Sequence, residues 1–166
     1  MPKLIKDGEL IDNNWLLIEK GSSVEEINTN GDVKSLVPFS LWLENKERIS
    51  QQTGHIGIWF DSDESPLLSE EEVNSFPLIA LNFPVFRDGR PFSHAAILRQ
   101  QLKFSGDLRA IGDVQRDQLT YMIGCGFSSF LVPEEADQAV MLEGFNDFSE
   151  NYQSTVTKPT PLFRRR

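Results

Sequence analysis

Eight residues of an acidic chain, 87–94, hold Arg87, Asp88, Gly89, Arg90, Ser93 and His94: two guanidinium forks, a carboxylate, a hydroxyl and an imidazole. Guanidinium forks match phosphate, sulfate and carboxylate in geometry and charge. This cluster precedes a helix expected to open near Pro91–Ser93, where unpaired N–H groups and the positive dipole end would also favour an anion. Downstream, GDLRAIGDVQRDQL adds Arg109, Asp113, Arg116 and Asp117. These ten residues are the candidates for binding an anion or another ligand. An architectural role for Arg90 stands beside the functional one, pairing it with Asp88 or Asp113 to pin two loops. Arg116, disfavoured by the dipole near a helix start, calls for a specific acceptor: Asp113, a neighbouring loop or a ligand.

Asp61, Asp88 and Asp113 could together hold a hard cation such as magnesium. Each also has an ordinary task open to it, as a strand end, a turn residue before Gly89 and a helix N-cap. With magnesium, the arginines would hold a phosphorylated or sulfated substrate, which is the enzymatic alternative. No catalytic residue can be assigned. Cys125 falls near a helix C-terminus, which raises a thiol's pKa, and reads as a small core residue. The histidines, His55 and His94, offer no recognisable nucleophile pairing. Neither a G-x-G-x-x-G fingerprint nor a Walker A sequence is present, and nothing signals a flavin, nicotinamide or haem.

The net charge of −9 and pI near 4.7 argue against nucleic acid or an anionic membrane as a general partner. The distribution is more telling than the total. Residues 1–86 and 117–157 are net −9 and −7, whereas 87–116 are net +3 and 158–166 net +4. A single cysteine excludes an internal disulfide and cannot by itself hold a cysteine-ligated zinc or iron–sulfur cluster. No apolar run is long enough to span a bilayer, and MPKLIKD lacks the apolar core of a signal peptide, so a cytoplasmic protein is expected.

The elements that would position these residues follow from local signals. Asp7-Gly8 between short apolar patches marks a hairpin, and residues 1–35 read as a β-meander with a further turn at Asn30-Gly31-Asp32. Pro38 opens a helix over 39–49. Residues 55–150 alternate strand and helix: strands at 56–60, 78–83, 108–111 and 129–132, helices at 69–74, 92–102, 114–125 and 135–148. Ser69 and Glu72 are spaced as a capping box, and Asp113 would cap the third helix. Such units imply parallel pairing with right-handed crossovers. The expected architecture is α/β, a small parallel sheet or partial β/α barrel with an N-terminal β-meander, in one domain over 1–153. Residues 154–166 would form an extended basic tail able to dock on an acidic, apolar groove or to remain a solvated terminus. Ligands of parallel sheets gather at the strands' carboxyl ends, which selects Asp61 and Asp63, then Arg87, Asp88 and Arg90, then Gly112 and Asp113, then Pro133 and Glu134.

Segment 86–127 resembles a family of small bacterial proteins of unknown function. The shared motif is carried by Phe86, Asp88, Gly89, Arg90, Phe92, Ser93, then Leu98 and Arg99, then Gly106, Leu108, Arg109, Ala110, Gly112, Asp113, Val114, Asp117, Gln118 and Leu119, then Cys125, Gly126 and Phe127. IKDGELIDNNW and PLFRRR resemble the family's termini. His94 stands where glutamine is frequent, and Gly124 where a basic residue often precedes the cysteine. Members carry the label of oxidoreductases involved in sulfite reduction, because their genes accompany assimilatory sulfite reductase. The resemblance implies an accessory of sulfur assimilation, with sulfite reductase or another enzyme of that route as partner. A structural homodimer or scaffold without catalysis is the third alternative.

Overall fold

Apolar runs without polar alternation favour strands buried on both faces, and each face then needs a cover. The computed structural model, which describes residues 3–27, 33–49, 56–133 and 136–146, supplies both. The chain runs β1 (Lys3–Lys6), β2 (Glu9–Asp12), β3 (Trp15–Leu17), β4 (Lys34–Pro38), α1 (Phe39–Glu44), α2 (Lys46–Ile49), β5 (Ile56–Phe60), α3 (Glu70–Asn74), β6 (Leu78–Phe83), α4 (Arg90–Ala96), β7 (Asp107–Gly112), α5 (Leu119–Gly124), β8 (Ser129–Val132) and α6 (Gln138–Asn146). A π-helical stretch, Ile97–Gln101, continues α4, and a 3-10 turn, Arg116–Gln118, leads into α5. The strands form one sheet in the order β2-β1-β8-β7-β6-β5-β4-β3. From β3 to β8 every neighbour is parallel, while β1 is antiparallel to both β2 and β8.

The order never reverses between β3 and β8, so right-handed crossovers place their helices on one face. That face is the larger core: Ile58, Phe60, Ile79, Leu81, Phe83, Leu108 and Phe130 from the strands meet Trp42, Val73, Leu98, Leu119 and Met122 from the helices. The alternate residues Leu36, Trp59, Leu78, Ala80 and Ile111 form a second buried cluster, with Trp15 and Leu131 packed against it and no helical residue among its described members.

Curling of the sheet explains how that second face is covered. The edge strands β2 and β3 are joined through Asn13 and Asn14 alone. Three Cα steps span at most about 11 Å, whereas the edges of a flat eight-stranded sheet would lie roughly 34 Å apart. The sheet therefore wraps into a barrel-like ring, and the second cluster is its filling. β2 and β3 run in the same direction, as two halves of one bent strand, the first half on β1 and the second on β4. At the bend Asn13 Oδ1 accepts the Trp15 N–H at 3.1 Å, and Asn14 O accepts the Lys34 N–H at 3.3 Å.

The α/β architecture is as expected, with refinements where tertiary contacts decide. The Asp7-Gly8 turn has φ of 54° and 80°, as a tight hairpin with right-handed strand twist requires. The N-terminal strands are present, but β3 leaves the hairpin for the far side of β4. Pro38 both ends β4 and precedes α1. Ser69 and Glu72 form the complete capping box. The third helix begins at Leu119, not 114, and Asp113 does not cap it. The turn at 30–32 and the tail at 154–166 lie outside the described residues. No helix among the described residues is long and apolar enough to cross a membrane.

Gly112 ends β7 with φ +88°, and a Cβ there would sit 2.4 Å from both Phe83 O and Asn82 Oδ1. Left-handed backbone alone costs a residue with a side chain about 1–2 kcal/mol. Gly112→Ala is expected to lose at least that much in urea unfolding while keeping the wild-type far-UV spectrum; an unchanged midpoint would refute the constraint.

Candidate functional site

Parallel strands deliver their following loops to one end of the ring, and the side chains there fall into two linked groups. Asp61, leaving β5, accepts hydrogen bonds from Asn82 Nδ2 at 3.1 Å and from the Ser62 N–H at 2.9 Å. Lys20, in the loop after β3, lies 3.0 Å from Asp61, 3.4 Å from Glu64 and 3.9 Å from Asp63. Burial opposes the Lys20 ammonium, but its bond to Asp61 and the surrounding carboxylates outweigh that and hold its pKa above the usual lysine value. Burial likewise pushes the Asp61 carboxyl up, and the bonds from Asn82, Lys20 and Ser62 bring it below the ordinary range. A protonated amine locked to an ionised carboxylate is neither nucleophile nor base at neutral pH.

The second group is built on residues 84–90. Asp88 Oδ1 accepts the Arg90 N–H and Nε, each at 3.0 Å, and Oδ2 accepts Arg90 Nη2 at 2.7 Å. The same Nη2 donates to Ser62 Oγ at 2.8 Å, tying this loop to the one after β5. The Arg90 hydrogen bonds hold the Asp88 carboxyl far below the usual carboxylate range. Asp113, after β7, accepts the Phe86 N–H at 2.9 Å and a bond from Gln115 Nε2. Gln118 Nε2 donates to Phe86 O at 2.7 Å. Asp113 is therefore spent on a neighbouring loop and not on a helix cap, since the Phe86 amide, in the loop after β6, takes its carboxylate.

The basic island divides by task. Arg90 takes the architectural role, pinning its loop through Asp88 and Ser62. Arg99 donates to the carbonyls of Gly126, Phe104 and Gly106 at 2.8–2.9 Å. Arg109 is 3% exposed, inside the ring and toward the end opposite the rim, bound to Asp107 at 3.1 Å and Ser129 Oγ at 2.9 Å. Arg116 donates to Val140 O at 3.2 Å, and its stem fills the space a side chain at Gly144 would need, fastening α6. Asp117 is exposed, 3.9 Å from Arg116. Ser93 and Gly89 are exposed on and before α4. Arg87 is exposed, stacked on the neighbouring Phe86 ring at 5.6 Å, and no carboxylate among the described residues pairs with it.

The proposed magnesium set does not assemble. Asp61, Asp88 and Asp113 are each held by separate donors, and no group of three His, Cys, Asp or Glu side chains suited to a metal occurs among the described residues. His55 and Glu134 lie outside the described residues. Lys20, Ser62, Asn82 and Glu64 were missed from sequence, and Gln118 was read only as part of the shared motif and not as a site residue. Asn82 and Ser62 stand at strand ends that the carboxyl-end rule already selects, so applying it to polar residues of every kind would have found them. Lys20 follows a strand assigned to a meander, which hid it.

Cys125 is half-buried; burial pushes its thiol up, only partly offset by a hydrogen bond from Tyr121. His94 is buried on α4, and its Nδ1 has no hydrogen-bond partner. Burial first, then the Arg90 charge, push its pKa below the usual 6.5, against a smaller opposing effect of Asp88. The unfolded chain thus binds a proton near pH 6.5 that the folded chain refuses, so stability falls as pH drops below that value toward the folded pKa. Urea unfolding at pH 5 and 7.5 is expected to show this loss in wild type and a smaller one in His94→Gln; equal losses would exclude His94 as its source.

Against this geometry, the comparisons with known proteins give one result. The family model described as "Bacterial protein of unknown function (DUF934)" matches residues 57–163, well over half of the chain. The search of curated proteins and the search of solved structures each returned no match. The match runs from β5 through α6 and takes in every rim residue described above except Lys20, and on it the chain belongs to the DUF934 family of bacterial proteins of unknown function.

Proposed function

We propose that this chain is an accessory of assimilatory sulfite reduction that works by binding, its rim accepting an anionic group at Arg87. The observation that carries the reading is the division of the arginines. Arg90, Arg99, Arg109 and Arg116 are committed to Asp88 and Ser62, to backbone carbonyls, to Asp107 and Ser129, and to Val140 O. Arg87 alone among the guanidinium groups of the basic island is exposed without a protein acceptor among the described residues. Its loop is fixed by Asp113 and Gln118, so an arriving anion meets a preorganised donor and little ordering entropy is lost. The sulfur context is supported by the motif of segment 86–127 and the genes that accompany such proteins. The Lys20–Asp61 pair, locked in its charged form, favours binding over bond-making at this rim.

The test is thermal unfolding of wild type, Arg87→Ala and Arg90→Ala with sulfite, sulfate, phosphate and adenosine phosphosulfate. A ligand at ten times its Kd stabilises by about 1.4 kcal/mol, or about 3–6 °C for a domain of this size. Arg87→Ala is expected to keep the unliganded Tm and lose the shift, whereas Arg90→Ala lowers the Tm itself. A shift that survives Arg87→Ala would refute the site.

A further inference from the structure

Phe86 has both backbone polar groups taken by side chains of the next β/α unit, its N–H by Asp113 and its carbonyl by Gln118. The Asp88 N–H closes the same loop on Val85 O at 3.0 Å. The loop is thus clamped from beneath, yet Val85 and Phe86 are 54% and 43% exposed. Tyr121, 62% exposed, follows Gln118 by three residues, so it stands about one helical turn along the same face. Its ring packs edge-on against Phe92 at 4.8 Å, which holds it in place. Gln118 therefore links the backbone of one exposed aromatic residue, Phe86, to the helical turn that carries the other, Tyr121. Single exposed apolar residues are ordinary. Two aromatics and an unpaired arginine on a rigid backbone, with a valine beside them, have instead the enriched residue types of an interface centre.

We propose that this patch docks a protein segment in which a carboxylate neighbours a large apolar side chain, the carboxylate on Arg87 and the apolar group between Phe86 and Tyr121. The proposal rests on the reading of Arg87 as an anion acceptor and specifies what carries the anion. Charge selects an acidic segment, because a basic one would oppose Arg87. The apolar residues select a polypeptide over a free ion, because sulfate or sulfite has nothing to place against Val85, Phe86 and Tyr121. Arg87 stacked on Phe86 offers both contacts from one surface.

The experiment is an amide-resolved NMR titration of the ¹⁵N-labelled full chain. The probes are capped peptides of alternating leucine with glutamate, glutamine or lysine, and sodium acetate and sodium sulfate alone. The leucine–glutamate peptide is expected to shift the Phe86, Arg87 and Tyr121 amides at least tenfold more tightly than acetate. Arg87→Glu should reverse the preference toward leucine–lysine, its own dispersed spectrum showing that it folds. Val85→Ser with Phe86→Ser should lose the peptide and keep the acetate response. Equal responses to peptide and acetate would overturn the docking proposal and leave the anion reading standing; no response at Arg87 to any probe would overturn both. Patch shifts that grow with protein concentration alone would assign the surface to a second copy and overturn the proposal.

Discussion

The constraint on which the rest depends is covalent: two residues, Asn13 and Asn14, connect the opposite edges of an eight-stranded sheet. Once those edges are tethered, the sheet must curl, and curling gives it two unlike faces. The convex face takes the helices. The concave face becomes small enough that, among the described residues, strand side chains fill it, with Trp59 donating from Nε1 to Ile18 O at 2.9 Å, so that even its largest member is satisfied. Ring geometry in turn gathers the loops after β3, β5, β6 and β7 at one end, where residues as distant in sequence as Lys20 and Asp61 meet.

At that end most charges are used to hold the loops rather than to meet a ligand. Lys20 ties the loop after β3 to that after β5, Arg90 ties the loop after β6 to the same place through Ser62, and Asp113 ties the loop after β7 to that after β6. The opposite end has its own closed network, in which Asp107 receives Arg109, Ser128 and Ser129, with Lys6 at 3.7 Å. Burial pushes the Asp107 carboxyl up, and these donors more than compensate. Removing one partner from such a buried set leaves the others uncompensated, which explains why a basic island need not be a binding surface.

What was legible in the sequence was local. Leu78–Phe83, the Ser69–Glu72 box and the Asp7-Gly8 turn each declare themselves within a few residues, because apolar run length, cap spacing and turn chemistry are properties of neighbours in the chain. The architectural alternative for Arg90 was also readable, since Asp88 lies two residues away. The destination of β3 was not, because pairing with β4 is decided by the closure of the whole sheet. Nor was the role of Asp113: the N-cap reading uses only its position before a helix, whereas the competing donor comes from Phe86, 27 residues earlier. Arg116 illustrates the same limit, its acceptor being a carbonyl on α6.

The pairing of β1 with β8 has a consequence for how the chain is made. Lys3–Lys6 leaves the ribosome more than a hundred residues before its partner Ser129–Val132. At about 5–20 residues per second, the opening hairpin waits roughly 6–25 s with one ladder edge unsatisfied. During that interval β3 to β7 can add one at a time in the order of synthesis, each beside the strand before it. The β1–β8 ladder can form only once β8 has emerged, so an open wall of parallel strands can become a ring only after β3 to β7 have been made.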